Sequence, residues 1–263
     1  MINFLIATAL AAASVAPVRA PATPLPDADP AIWVVNDHDT VIYLFGTFHA
    51  LDGRSAWFND EVMTAFARSD ELVLETIVPD GPPDVSPPAG HNPAAAPSAS
   101  YLASTHMAIK AGRARGLKVS NGADMVLRLA AMQSGKPIQG LETFQDQLGM
   151  IDRLPPQPRH SLAPPQDLSS VGNLAIVMGQ MQAAWNRGES GIFSIMLNQM
   201  QANSPESYEA MFTRRNASWA GWIADRLQRP GTVFVAVGAG HLAGNDSVQA
   251  KLAELGVRSA RIN

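Results

Sequence analysis

Apolar positions along this chain follow two periods, and each change of period marks an element. Thr232 to Val237 (TVFVAV) is an apolar run after a polar start, which predicts a strand buried on both faces. Thr40 to Phe45 (TVIYLF) and Asp70 to Ile77 (DELVLETI) read the same way, and Ile138 to Leu141 is a shorter version. Ile32 to Val35 and Thr40 to Phe45 flank the polar Asn36-Asp37-His38-Asp39, which predicts a hairpin with a solvated His38 at its tip. Between the strands the spacing changes to that of helices. Phe58, Val62, Ala65 and Phe66 place a helix in residues 57–68, starting from Ser55 or Asn59. Further helices are predicted at 101–115, closed by Gly116, and at 124–133, with Asp124 as N-cap and Gly135 at the C-terminal side. The remaining helices fall at 174–187, 192–200, 206–228 and 248–255, and short strands at 117–119 and 257–262.

This alternation predicts an α/β fold with a mostly parallel central sheet flanked by helices, plus an α-helical insertion. The strand–helix–strand unit of residues 40–77 calls for a right-handed crossover between parallel strands. His49 and Glu75 then emerge at one C-terminal sheet edge. Gly46-Thr47-Phe48-His49 and Gly238-Ala239-Gly240-His241 each follow a buried strand, which suggests two related βαβ-type halves with facing half-sites.

Composition narrows the class. The chain has 263 residues, 46% hydrophobic and 16% charged, enough for a sizeable core in one domain spanning residues 23–263. A net charge of −4 argues against nucleic acid as partner. The absence of cysteine excludes disulfides and thiolate chemistry, so any metal must be held by His and carboxylates. Residues 1–16 are apolar and free of charged side chains, and residues 1–22 are expected to be a signal peptide directing a periplasmic or secreted protein with no membrane span after cleavage. The Pro- and Ala-rich 79–100 stretch reads as a mobile loop. The Met-rich helices at 174–187 and 192–200 read as flexible core.

His49, Glu75, Glu142 and His241 share one property: each ends an apolar strand. Two imidazoles and two carboxylates suit a divalent metal such as Zn, Mn, Fe or Co, held by His49 and His241 with Glu75 or Glu142. The remaining glutamate, Glu142 or Glu75, is then a candidate base, and Glu142 reads equally as a first-turn acid of the following helix. Arg215 is placed to balance a developing oxyanion and Asn216 to bond a substrate carbonyl. Taken singly, a Gly-x-x-His is weak; its repetition after two buried strands is what carries the reading.

The chain resembles the TraB/PrgY/GumN family, related to the TIKI metalloproteases. The matching pieces are Gly46-Thr47-Phe48-His49, Leu72-Val73-Leu74-Glu75, Gly122-Ala123-Asp124, Gly140-Leu141-Glu142-Thr143 with Gln147, Ala184-Trp185-Asn186-Arg187-Gly188-Glu189, Arg215-Asn216 with Trp219, and Val237-Gly238-Ala239-Gly240-His241-Leu242-Ala243-Gly244. The resemblance implies two related α/β halves, distantly similar to erythromycin esterases and ChaN-like haem-binding proteins. It implies an active centre built from both Gly-x-x-His motifs and the strand-end glutamate, which in the TIKI branch is a Mn- or Co-dependent protease site. The expectation is therefore an exported metal-dependent hydrolase acting on a peptide or small molecule. The alternatives are a metal-free hydrolase with His49 as base and Glu75 orienting it, and a non-catalytic haem- or peptide-binding protein.

Overall fold

A computed structural model describes residues 25–78, 99–155 and 168–263. The expected leader and nearly all of the Pro/Ala-rich stretch lie outside the described residues. Six strands form one sheet: β1 (Ile32–Asn36), β2 (Thr40–Thr47), β3 (Glu71–Leu74), β4 (Ile138–Gly140), β5 (Gly231–Gly238) and β6 (Ala260–Arg261). Their order is β4-β3-β5-β2-β1-β6, with the first four parallel and β1 and β6 antiparallel additions. The α/β class and the mostly parallel sheet stand as the sequence predicts.

The strand order settles what the sequence left open. β2 and β5, the strands of the two Gly-x-x-His motifs, lie side by side, with Thr47 opposite Gly238. β5 separates β2 from β3, so the crossover through α1 (Asp60–Arg68) spans a strand that arrives from far along the chain. The two motifs are therefore neighbours on one sheet edge. Side-chain alternation along β5 explains why this strand holds the centre. Phe234 and Ala236 face a core with Phe45, Trp57, Phe66 and Trp185, while Val233, Val235 and Val237 face one with Trp219, Ile223 and Leu252. A strand buried on both faces must be apolar throughout.

Helix starts follow local chemistry. α1 begins after Asn59, whose side chain accepts the Val62 N–H. α2 (Ala99–Ala114) is followed by Gly116 at φ +79°, and the expected strand at 117–119 is instead a single bridge between Leu51 and Lys118 leading into a 3-10 turn. α3 (Ala123–Ser134) has Gly122 at its N-cap, so Asp124 is a first-turn residue rather than the cap. α4 (Phe144–Asp152) is opened by a capping box between Thr143 and Asp146, which places Glu142 before the helix and not in its first turn.

α5 (Leu168–Asn186) and α6 (Gly191–Asn203) cover one face. The long helix expected over 206–228 is divided into α7 (Pro205–Tyr208), a π turn (Glu209–Thr213) and α8 (Arg214–Arg226). A π turn inserts an extra residue into the helical ladder and resets the direction of the next turn, which carries Arg215 and Asn216. α9 (Val248–Glu254) packs beside α8, and the closing strand is only β6.

Candidate functional site

The C-terminal ends of β2, β3, β4 and β5 share one edge, and each hands a polar side chain to it. β3 ends at Leu74, so Glu75 is the first residue free to turn from the sheet. Glu75 Oε1 accepts the Gly238 N–H at 2.6 Å, and Oε2 accepts Arg215 Nη2 at 3.1 Å. Glu142, after β4, accepts Arg215 Nε at 3.0 Å and Nη2 at 2.5 Å, a bidentate pair. Arg215 Nη1 donates to Met211 O at 3.0 Å and to His241 Nε2 at 3.1 Å, and the guanidinium lies 4.6 Å over the Trp219 ring. Arg215 is thus the hub of the cluster, held by both glutamates.

His241 is buried between Phe212 and Trp219. Its Nδ1 lies 2.6 Å from Asn216 Oδ1, and Asn216 Nδ2 donates to Asp246 O at 2.7 Å. An amide oxygen only accepts, so Nδ1 carries the proton and Nε2 receives Arg215. Burial is the leading reason that the His241 pKa is held down to about 3, and Arg215 adds to it. Asn216 is itself buried behind this ring; it positions His241 and does not face the cavity.

His49 behaves in the opposite way. Burial in the concave site opposes its charge, but the hydrogen bond and charge of Asp124, aided by Glu75, raise its pKa to about 9. Its side chain is 63% accessible and lines the cavity. Nδ1 lies 3.3 Å from Asp124 Oδ1, leaving Nε2 directed toward the centre of the cluster. Burial also opposes the charge of Glu75, yet the His241 ring, Arg215, His49 and the Gly238 N–H hold its carboxyl at about 2. With His241 neutral near pH 7, Arg215, His49 and that N–H are the groups that act there.

Asp124 is legible in the sequence as a motif residue but not as a partner of His49. The contact is made by packing: Ala123 N donates to Phe48 O at 3.0 Å, and a Cβ on Gly122 would stand 2.3 Å from His49 O. Only glycine lets the start of α3 approach the Gly-x-x-His turn so closely. The Gly122-Ala123-Asp124 run is the available signal.

The site opens into a cavity of about 470 Å³. Met181 packs against the core as expected and also lines the cavity wall, and Met196 lines it beside a 39% exposed surface. Among the described residues, the group with three potential ligand atoms mutually within 4.8 Å is Asp37, His38 and Asp39, exposed at the hairpin tip. His49, Glu75 and His241 converge more loosely, with Glu75 Oε1 at 3.6 Å from His241 Nε2.

A family model described as TraB/PrgY/gumN matches residues 31–89 and 93–261. The chain is similar to the uncharacterized protein YbaP of Escherichia coli K12, 31% identical over 134 residues, which cover 51% of this chain and 48% of that protein. YbaP of Shigella flexneri matches with the same figures. The match spans about half the length of these relatives. No solved structure matches.

Proposed function

The chain belongs to the TraB/PrgY/gumN family, and on that premise we propose that it is an exported hydrolase, acting on a peptide, with His49 as its proton-transfer group. One observation carries this reading. Glu75, Glu142, Arg215 and His241 bond one another, whereas His49 Nε2 has no hydrogen bond among the described residues and faces the cavity. Asp124 fixes the ring through Nδ1 and raises its pKa to about 9, so Nε2, once it has lost its proton toward that pH, can take a proton from water as general base. Glu75 holds the adjoining charge, and the Arg215 cation lies beside the site where a substrate oxyanion develops. Export is supported by the apolar opening segment, and no helix among the described residues is long and apolar enough to cross a membrane.

A second reading is favoured by Gly238. A Cβ there would lie 3.1 Å from Glu75 Oε1, 3.3 Å from His49 Nε2 and 3.7 Å from His241 Cδ2, so glycine keeps a small cradle open between the three. Their donor set suits a divalent ion such as Mn, Co or Zn, which would supply Lewis-acid chemistry. Arg215 Nη1 stands on His241 Nε2, so this reading requires the guanidinium to withdraw.

The test is peptidase activity on a fluorogenic peptide library, before and after exhaustive chelation, with metal analysis of protein purified without chelator. Activity that survives chelation and disappears in His49→Ala supports the first reading. Activity lost on chelation and restored by Mn supports the second. Full activity in His49→Ala removes both.

A further inference from the structure

The strand-end cavity has two chambers that share Thr47, His49, Glu75 and Gln147. The smaller, about 250 Å³, includes Thr76, Asp124 and Arg128. The larger, about 470 Å³, is of another character. Its wall is built from Met150 of α4, Met181 of α5, Phe193 and Met196 of α6, and Met211 and Phe212 of the π turn. Four methionines from four separate elements converge on one space, and thioether chains fit groups of varied outline. Met196 remains 39% exposed. Among the described residues lining this chamber, the permanently charged cation is Arg215, and it is already neutralised by Glu142 and Glu75. His49 belongs to the lining that both chambers share; among the methionines, away from it, a charged substituent would lose its water without gaining a partner, whereas an apolar one would cover exposed methionine.

We propose that the substrate carries a bulky apolar group, aromatic or aliphatic, which seats in the methionine-walled chamber while its scissile bond lies at His49. This rests on the hydrolase reading for the bond, but not for the chamber. The size of the space matches pockets that enclose a small organic group, roughly 300–1,000 Å³. The shared lining at His49 and Glu75 places the apolar group directly beside the proposed reaction centre. The smaller chamber takes the other side of the substrate.

The experiment uses N-phenyl-1-naphthylamine, a neutral apolar dye whose fluorescence rises on burial, titrated into the full chain. Wild-type protein is expected to show one saturable site. Met196→Asp places a carboxylate in the wall and should weaken dye binding at least about tenfold. Met196→Trp keeps the wall apolar but fills the space, and should produce a loss of similar size, which separates occupancy from misfolding. Leu129→Asp, on an exposed face of α3 away from either chamber, should bind as wild type does. Undiminished binding in both Met196 variants, or equal loss in Leu129→Asp, overturns the proposal. Dye binding without any peptidase activity sinks the hydrolase reading and leaves the chamber standing. Peptidase activity that prefers Ser or Asp over Phe or Leu near the cleaved bond sinks the chamber proposal and leaves the hydrolase.

Discussion

Nδ1 of His241 lies 2.6 Å from Oδ1 of Asn216, and this contact fixes which ring nitrogen faces Arg215. The amide then passes the restraint on to Asp246 through its own N–H. Asn216→Leu leaves the buried His241 Nδ1–H without a partner and releases the half-buried Asp246 carbonyl, so urea unfolding should show a loss of about 1–3 kcal/mol from the ring N–H alone. Asn216→Asp keeps an acceptor and adds a negative charge. The His241 ring should then titrate well above its present pKa of about 3, which NMR of the imidazole protons reads directly.

Arg215 joins Glu75 and Glu142, and all three side chains are under 15% exposed. Arg215→Met strands two carboxylates in a low-dielectric site and should destabilise the fold by about 3–5 kcal/mol. The double variant Arg215→Met/Glu142→Gln removes one of the stranded charges and should recover part of that loss. A double variant no more stable than the single one would show that the guanidinium acts through packing on Trp219 instead.

Gly238 and Gly122 should fail differently. Gly238 has φ −53°, a conformation that alanine adopts, and its Cβ would meet side-chain atoms of Glu75 and His49. Gly238→Ala should therefore keep most of its stability and lose peptidase activity, about 100-fold or more if the centre is displaced by an ångström. In Gly122→Ala the new Cβ would meet the His49 backbone carbonyl at 2.3 Å, an atom that cannot swing aside, and should lower the thermal midpoint as well as activity. Thermal unfolding alongside peptide turnover separates the two outcomes.

The titrating groups set opposite pH limbs. His241 has its pKa lowered by burial to about 3 from an ordinary 6.5, so its stabilising contribution is complete above pH 6.5 and is lost as pH falls toward 3. Glu75, at about 2 against 4.5, contributes fully above pH 4.5 and loses its contribution as pH falls through 2. His49 runs the other way: raised to about 9, its contribution is complete below pH 6.5 and is lost as pH rises through 9, and its exposure keeps this contribution small. The urea midpoint should therefore fall steadily from pH 6.5 toward 3. Peptidase activity should instead rise through a pH near 9 as His49 becomes a base, and Asp124→Asn should move that limb to lower pH. A limb that stays in place in Asp124→Asn would remove Asp124 from the orienting role.

Much of this arrangement is legible in the chain itself. The apolar runs at β2, β3 and β5 are unbroken because strands buried on both faces admit no polar side chain, so their ends, and hence His49, Glu75 and His241, can be read by eye. The helix spacing of Val62, Ala65 and Phe66 and the cap at Asn59 are equally local. Asp124 is less legible, because a carboxylate near a helix start serves as readily for capping as for pairing, and its partner lies 75 residues away. The methionines of α5 and α6 read as core in the sequence because helical spacing marks an apolar face without saying whether protein or a cavity lies against it.

The sequence by itself determined the main strands and most helices, the α/β class and the residues that reach the strand ends, since these follow from short-range periodicity and steric limits on single residues. Tertiary structure alone decided that β5 inserts between β2 and β3, that the π turn aims Arg215 at both glutamates, and that His241 is closed in while His49 stays open. Those are relations between segments up to about 190 residues apart. Their energy comes from burial and charge pairing across the assembled core, which no local stretch of the chain contains.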